Sequence, residues 1–149
     1  MGTHYKGTAR EVRALDAHIK LARCVNTIDG ALSAGLAKEG MTVAQLGVLE
    51  ALLHLGTLSQ RELGHKVLRT GGSVTSVLDK LESKQLVSRQ RGESDRRLVH
   101  VSLTPAGRRL ISKVFPRHLG RVVEAMSVLT KQEQEDLSRI CRKLGLGQV

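Results

Sequence analysis

The sequence predicts a mainly α protein with one small, two-stranded β element. Three observations predict this fold class. Apolar residues recur at steps of three or four along most of the 149-residue chain, which is the spacing of one face of a helix. Three segments begin with a hydroxyl residue that is followed three positions later by Gln or Glu, the pattern of a capping box. Only residues 86–103 have β-type composition, in two runs on either side of a polar turn.

The first predicted helix covers residues 9–38 and carries apolar residues on two sides. One row runs from Leu21 to Leu36, and the other runs from Val12 to Ala22. A helix with two apolar rows has two faces to cover. It is therefore expected either to cross a helical bundle or to lie between two subunits.

Three short helices are predicted after this first one. The capping boxes of Thr42 with Gln45 and of Ser59 with Glu62 open two of them. Thr70 is expected to cap the third, which spans residues 70–84 and has its apolar residues on one face. Three capped helices in succession predict a compact trihelical unit.

A hairpin and two further helices complete the predicted fold. The strands are expected at residues 86–89 and 98–103, with a charged tip between them. Thr104 followed by Pro105 is a strong helix start, and Thr130 with Glu133 forms the last capping box. We therefore expect one domain over residues 1–149, with a lobe at residues 41–103 and a helical region from residues 9–38 and 104–146.

Charge and composition narrow the class of partner. Lys and Arg number 24 against 14 Asp and Glu, which gives a net charge of +10, and Tyr5 and Phe115 are the only aromatic residues of the FWY set. A strong positive charge favours a polyanionic partner, whereas single-stranded nucleic acid usually stacks its bases on aromatic rings. Double-stranded DNA is therefore the expected partner. No apolar run reaches 18 residues and no secretory signal opens the chain, so a cytoplasmic location without membrane contact is expected.

A trihelical unit followed by a hairpin is the layout of a winged helix-turn-helix, in which the last short helix enters the major groove. The face of that helix opposite its apolar residues is small and hydrogen-bonding, and glycines at a helix start let amide groups approach a phosphate. The hairpin tip is rich in arginine, which can enter a minor groove, and Asp95 is placed to hold Arg97 by a bidentate bond. The residues expected to contact DNA are Thr70, Gly72, Ser73, Thr75, Ser76, Lys80, Arg89, Arg91, Asp95, Arg96 and Arg97. The alternative is an ordinary surface helix followed by a solvated turn.

The sequence resembles the multiple-antibiotic-resistance regulator (MarR) family of bacterial repressors along the whole chain. The most specific match joins the hairpin to the next helix, from Asp95-Arg96-Arg97 to Leu103-Thr104-Pro105-Ala106-Gly107. Further matches are Thr42 to Leu49, Leu58 to Leu63, Val74 to Glu82 and Leu86-Val87. The resemblance implies a homodimer, built from the terminal helices, that binds a pseudo-palindromic operator. It also implies that Arg97 is the minor-groove arginine and that Asp95 positions it.

Two positions depart from the family pattern. Position 76 is Ser76, where many members carry arginine, so base readout is expected to depend more on DNA shape. Position 85 is Gln85, where glycine is usual. We call the helix expected to enter the major groove, over residues 70–84, the recognition helix. Either this helix ends without a left-handed residue, or Gln85 adopts that conformation under strain.

The resemblance also implies a small effector, because most members sense phenolic or lipophilic molecules between the dimer body and the DNA lobe. The opening residues from His4 to Thr8 resemble a branch associated with quinone or aromatic compounds. A pocket lined by aliphatic residues is expected between the first helix and the helix of Leu46 and Leu53. Cys24 is a candidate thiol for redox sensing, although a lone cysteine on an apolar helix side is more often a buried hydrophobic residue. No histidine or cysteine spacing indicates a metal site, and no cofactor is predicted.

The function expected from these residues is a homodimeric, non-enzymatic repressor that a small ligand releases from DNA. The chain has no nucleophile elbow, phosphate-binding loop or dinucleotide fingerprint, which argues against an enzyme. Two alternatives stay open: a thiol-based redox-sensing regulator that uses Cys24, and an architectural protein that binds DNA without sequence preference.

Overall fold

A computed structural model describes residues 2–67 and 73–147. Within them it contains a mainly helical fold with one small antiparallel sheet, which confirms the predicted fold class. The elements in chain order are α1 (Ala9–Ala37), α2 (Val43–Leu55), β1 (Leu58–Ser59), α3 (Gln60–Val67), α4 (Val74–Ser83), β2 (Val87–Arg91), β3 (Val99–Leu103), α5 (Pro105–Met126) and α6 (Lys131–Leu146).

All three capping boxes read from the sequence are formed. The hydroxyl of Thr42 accepts a hydrogen bond from the amide of Gln45 at 3.2 Å, while the Gln45 side chain accepts one from the Thr42 amide at 3.0 Å. The same reciprocal bonds join Ser59 with Glu62 and Thr130 with Glu133. These pairs satisfy amide groups that a helix start otherwise leaves free.

The hydrophobic core lies in the lobe that α2, α3, α4, the sheet and the first half of α5 enclose. Leu49 of α2 and Leu78 of α4 are fully buried in it, as is Val101 of the central strand. The other buried apolar residues are Leu36, Met41, Leu46, Val48, Leu52, Leu63, Leu81, Val87, Ile111 and Val114. Leu36 is the one buried residue of α1, so only the end of that helix enters the core.

The sheet has three strands, whereas the sequence predicts two. Leu58 pairs with Val101 and Ser59 with His100, so β1 joins β3 on the side opposite β2. The strand order is β1-β3-β2, and β2 pairs with β3 from Val87 to Arg91. The prediction missed β1 because a strand of two residues has no alternation to recognise. We call β2, β3 and the turn between them the wing.

Helix α4 ends in a left-handed residue that is not glycine. Gln85 has φ +58°, its amide donates to the carbonyl of Glu82, and the amide of Leu86 donates to the carbonyl of Leu81. These two bonds form a Schellman motif. The second of the two outcomes considered for Gln85 is therefore the one observed, with a conformation that costs a residue with a Cβ about 1–2 kcal/mol.

The end of α1 is tied to α5 by two ion pairs. Glu39, whose side chain is largely buried, accepts hydrogen bonds from Arg117 and Arg121, each at 3.1 Å. Both arginines lower the pKa of the Glu39 carboxyl, with the hydrogen bond from Arg121 as the largest cause. Beside them, burial lowers the pKa of the His118 imidazole and the charge of Arg121 lowers it further, against a smaller raising effect of Glu50.

The terminal helices leave large apolar side chains exposed in the single chain. Leu21 and Val25 of α1, Leu119 and Val123 of α5, and Ile140 of α6 are among them. Exposed apolar rows on several helices are unusual for a monomer. In the single chain, the two apolar rows predicted on α1 are therefore largely exposed to solvent.

Candidate nucleic-acid interface

Helix α4 buries one side and presents the other to solvent. Leu78 and Leu81 are buried, whereas Thr75, Ser76 and Lys80 are exposed. This division follows the helical period, which returns to the same side every three or four residues. The exposed side carries the hydrogen-bonding residues that the sequence proposed as DNA contacts.

The cap of α4 differs from the predicted one. Ser73 occupies the position before Val74, and its hydroxyl accepts a hydrogen bond from the amide of Ser76 at 3.4 Å. The sequence predicts Thr70 as the cap, whereas the cap is the hydroxyl residue three positions later. Thr70 and Gly72 lie outside the described residues, as does the phosphate cradle predicted at the glycines.

Thr75 has a protein partner. The side-chain amide of Gln60 donates a hydrogen bond to the Thr75 hydroxyl at 3.0 Å. Gln60 opens α3, so this bond connects the first turn of α3 with the first turns of α4. It fixes the rotamer of a residue on the exposed side of the recognition helix.

The wing tip brings Asp95 and Arg97 together, although not as the sequence predicted. The main-chain amide of Arg97 donates to Asp95 Oδ1 at 2.9 Å, while Nε of Arg97 lies 3.7 Å from the same oxygen. An aspartate commonly captures the amide two residues on in a turn, and this bond takes the place of the predicted bidentate pair. Asp95 therefore shapes the turn, and the Arg97 side chain is 95% exposed.

A groove of about 520 Å³ joins the wing tip to the helices. Asp95 and Arg97 line one side, and Gln60 and Arg61 of α3 and Val74 of α4 line the other. Gln60 and Arg61 are not among the DNA contacts expected from the sequence. Their signal was the capping box of Ser59, which places the next residues in the exposed first turn of a helix.

Arg89 is engaged with α4. Its Nη2 donates to Asp79 Oδ1 and to Glu82 Oε2, each at 2.6 Å, and its Nε donates to Glu82 Oε2 at 2.9 Å. The main-chain amide of Arg89 also donates to Glu82 at 3.2 Å. The hydrogen bond from Arg89 lowers the pKa of the Glu82 carboxyl, and the two carboxylates raise the pKa of Arg89. By contrast, Arg91 and Arg96 are exposed.

The predicted effector region holds a groove of about 730 Å³ between α1, α2 and α3. Val43, Ala51 and Val67 supply apolar surface, but Asp29 and Glu50 also line it. The lining is thus more polar than the aliphatic pocket that the sequence predicted. Its remaining lining residues are Ser33, Ala44, Gly47, His54, Leu55 and Lys66.

Cys24 and Cys141 are both exposed thiols in the single chain. The sequence favours a buried Cys24, whereas its side chain is exposed in the single chain. Among residues 2–67 and 73–147, no group of three or more histidine, cysteine or acidic side chains could hold a metal ion. No helix in these ranges is long and apolar enough to cross a membrane.

A trihelical unit with an exposed polar face on its last helix, followed by an arginine-bearing wing, defines a winged helix-turn-helix DNA-binding protein. The family model described as "MarR family" matches residues 41–99. The regulator MhqR of Bacillus subtilis, an HTH-type transcriptional regulator, is 33% identical over 134 residues, which cover 90% of this chain and 92% of MhqR. The chain belongs to the MarR family and is a DNA-binding transcriptional regulator.

Two solved structures share the fold. A MarR family transcriptional regulator from Streptomyces coelicolor, solved in complex with DNA, has a TM-score of 0.84 and 22% identity, and the match covers 98% of this chain and 92% of that one. BpsR of Bordetella bronchiseptica, whose DNA binding is regulated by 6-hydroxynicotinic acid, has a TM-score of 0.77 and 24% identity, with coverage of 87% and 98%.

Proposed function

We propose that the protein is a homodimeric repressor that binds a pseudo-palindromic operator and is released by a small aromatic effector. The observation that carries this proposal is the juxtaposition of the exposed side of α4 with the Arg97-bearing wing tip across one groove. A helix in the major groove and an arginine in the adjacent minor groove would read one half-site together.

The proposed base contacts come from the exposed side of α4, chiefly Thr75, Ser76 and Lys80. Ser73 lies at the N-terminus of this helix, where amide groups bind phosphate, and the proposal extends to Thr70 and Gly72 just before it. Arg91, Arg96 and Arg97 are the proposed wing contacts. Short side chains at the helix start favour a readout in which DNA shape contributes strongly.

A homodimer is proposed because the terminal helices have apolar surface without cover. Leu21, Val25, Leu119, Val123 and Ile140 are exposed on α1, α5 and α6, and a two-fold interface would bury them against the same helices of a second copy. Two lobes held in this way would present two α4 helices to two half-sites, which is how symmetric operators are recognised.

Release by a small molecule is proposed from the groove between α1, α2 and α3. It lies where α1 of the helical region meets the DNA-binding lobe, so a ligand there could favour one arrangement of the two over another. The regulation of BpsR by 6-hydroxynicotinic acid makes small phenolic or quinone-like aromatics the first class to test.

The decisive experiment selects binding sites from random double-stranded DNA with the full chain. The expected result is an enriched inverted repeat, and sedimentation equilibrium of the free protein should give about twice the 16.2 kDa chain mass. Affinity should fall steeply with salt, with a log–log slope of several units because lysines and arginines displace counterions. A folded monomer, or enrichment of no sequence, would contradict the proposal, and the second result would favour an architectural protein. A reporter gene placed behind the repeat distinguishes repression from activation.

The exposed thiol of Cys24 keeps one alternative in place, a regulator released by oxidation. A reactive thiol must be accessible, and Cys24 is exposed in the single chain. Treatment with a thiol oxidant should then weaken operator binding in the wild type but not in Cys24→Ser. If the oxidant weakens operator binding equally in both proteins, the oxidised group is not Cys24. Cys141→Ser then tests whether that group is Cys141.

A further inference from the structure

Arg89 occupies the contact between the wing and the recognition helix. On β2, Val87 and Arg89 point to the same face, since successive side chains of a strand alternate. Val87 is buried in the core, and Arg89 lies next to it at the core edge, with its side chain 22% exposed. On α4, Asp79 and Glu82 are three residues apart and therefore lie on one side of the helix.

The guanidinium of Arg89 joins both carboxylates in one network. Nη2 contacts Asp79 and Glu82, Nε contacts Glu82, and the main-chain amide of Arg89 contacts the second oxygen of Glu82. Glu82 is thus bonded to both the main chain and the side chain of a single strand residue. Charge-assisted bonds from a planar guanidinium fix orientation as well as distance.

We propose that Arg89 is a positioning residue that fixes the wing on the recognition helix, rather than a residue that binds DNA. This inference rests on the proposed function, since it names how the two reading elements keep their spacing. β2 pairs with β3 from Val87 to Arg91, and the turn that carries Arg97 joins these two strands. Holding β2 on α4 therefore sets where Arg97 stands relative to the bases that α4 reads.

A positioning role for Arg89 and a direct contact of Arg89 with phosphate predict opposite changes in DNA affinity for Glu82→Ala. Glu82→Ala removes a negative charge from the DNA-binding lobe, so simple electrostatics predicts equal or tighter DNA binding. If Arg89 positions the wing, the same substitution releases it and weakens binding to the preferred sequence. Binding to unrelated DNA, which depends mainly on phosphate contacts, should change little.

The test measures binding of the full chain to two duplexes at several salt concentrations. One duplex is the sequence that the wild-type protein selects from random DNA, and the other is a scramble of equal length and composition. The test variants are Glu82→Ala and Arg89→Lys. Glu93→Ala is the matched control for the first because it removes the same charge from the exposed wing tip. Arg108→Lys is the matched control for the second because it makes the same change at an exposed arginine of α5 that is not a proposed DNA contact.

We expect Glu82→Ala and Arg89→Lys each to weaken binding to the selected duplex about tenfold, because both substitutions break the same network between the wing and α4. Binding to the scrambled duplex should stay within about twofold, with an unchanged salt slope. The two control variants should keep wild-type preference. Arg97→Ala should also cost much less in the Glu82→Ala background than in the wild type, because an unpositioned wing has already lost its contact.

Unchanged preference in a folded Glu82→Ala protein would overturn the inference, as would an equal loss of affinity for both duplexes in Arg89→Lys. Thermal unfolding shows whether each variant is folded, and Asp79→Asn provides a milder break of the same network if Glu82→Ala is not. Failure of the wild-type protein to select any duplex is a separate result, and it would contradict the proposed function itself.

Discussion

Gly107 packs directly against the main chain of Leu86. The first turn of α5 therefore touches the residue that follows Gln85, with no side chain between them. A Cβ placed on Gly107 would overlap the carbonyl oxygen of Leu86 and lie 2.9 Å from its carbon. The same carbonyl accepts a hydrogen bond from the amide of Thr104, and the Thr104 hydroxyl donates to the carbonyl of Gln85. This junction fixes where the helical region leaves the DNA-binding lobe.

Gly107→Ala should therefore destabilise the protein although alanine favours helices. Overpacking against a main chain that cannot move aside costs about 1–3 kcal/mol. Gly120→Ala is the matched control, since a Cβ there meets nothing within 4 Å and should stabilise the same helix by about 1 kcal/mol. Urea unfolding of both variants checks the prediction, which fails if the two substitutions change stability in the same direction.

Gln85→Gly should stabilise the protein. Gln85 holds φ +58°, and relief of that conformation is expected to yield about 1 kcal/mol, partly offset by the greater freedom of glycine in the unfolded chain. Lys84→Gly, one residue earlier at φ −86°, gains no such relief and should destabilise by about 0.5–1 kcal/mol. Chemical denaturation of the two variants gives the comparison, and a less stable Gln85→Gly would contradict the prediction.

Asp95→Ala should weaken operator binding although it removes a negative charge. Asp95 holds the main-chain amide of Arg97, so its loss lets the turn relax and moves the arginine away from its groove. Arg97→Ala should cost about 1–3 kcal/mol for each half-site, and Asp95→Ala should cost most of that amount. Anisotropy titrations should find the double variant little weaker than Arg97→Ala alone. A folded Asp95→Ala that binds more tightly would show that the wing acts only as a diffuse basic patch.

Stability should fall as the pH drops below about 6.5, in part because of His118. Burial lowers the pKa of this imidazole from its ordinary value of 6.5, so the folded state takes up its proton at lower pH than the unfolded state. The contribution is fully present above pH 6.5 and is lost as the pH falls toward the folded-state pKa. Thermal unfolding between pH 7.5 and 5 should show a weaker pH dependence for His118→Gln than for the wild type, and equal slopes would exclude the assignment.

Local signals predicted most of the fold. The bonds of a capping box join residues three apart, so Thr42, Ser59 and Thr130 could be recognised from neighbouring sequence alone. The two-residue strand β1 could not, because Leu58 becomes a strand residue only by pairing with Val101. A partner that far along the chain leaves no periodic trace near Leu58.

In the candidate site, too, contacts between near neighbours in the sequence could be predicted and contacts between distant elements could not. The exposed side of α4 follows from helical spacing. Asp95 and Arg97 are two residues apart, so a contact between them can be predicted from the sequence. The partners of Arg89 cannot be predicted in this way, since Asp79 lies ten residues away on another element. The sequence therefore places Arg89 among the expected DNA contacts together with Arg91, Arg96 and Arg97, whereas the fold engages Arg89 with α4 and leaves the other three exposed.

Arg97 combines a fixed main chain with a side chain that is almost entirely in solvent. Most of its rotamers are therefore open in the free protein, and entering a groove would remove that freedom at a cost of about 0.5–1.5 kcal/mol. The same freedom lets a guanidinium on a set pivot follow minor grooves of different width. We therefore expect a wing built in this way to tolerate variation in the flanking sequence and to bind each site less tightly than a wing with a fixed side chain would.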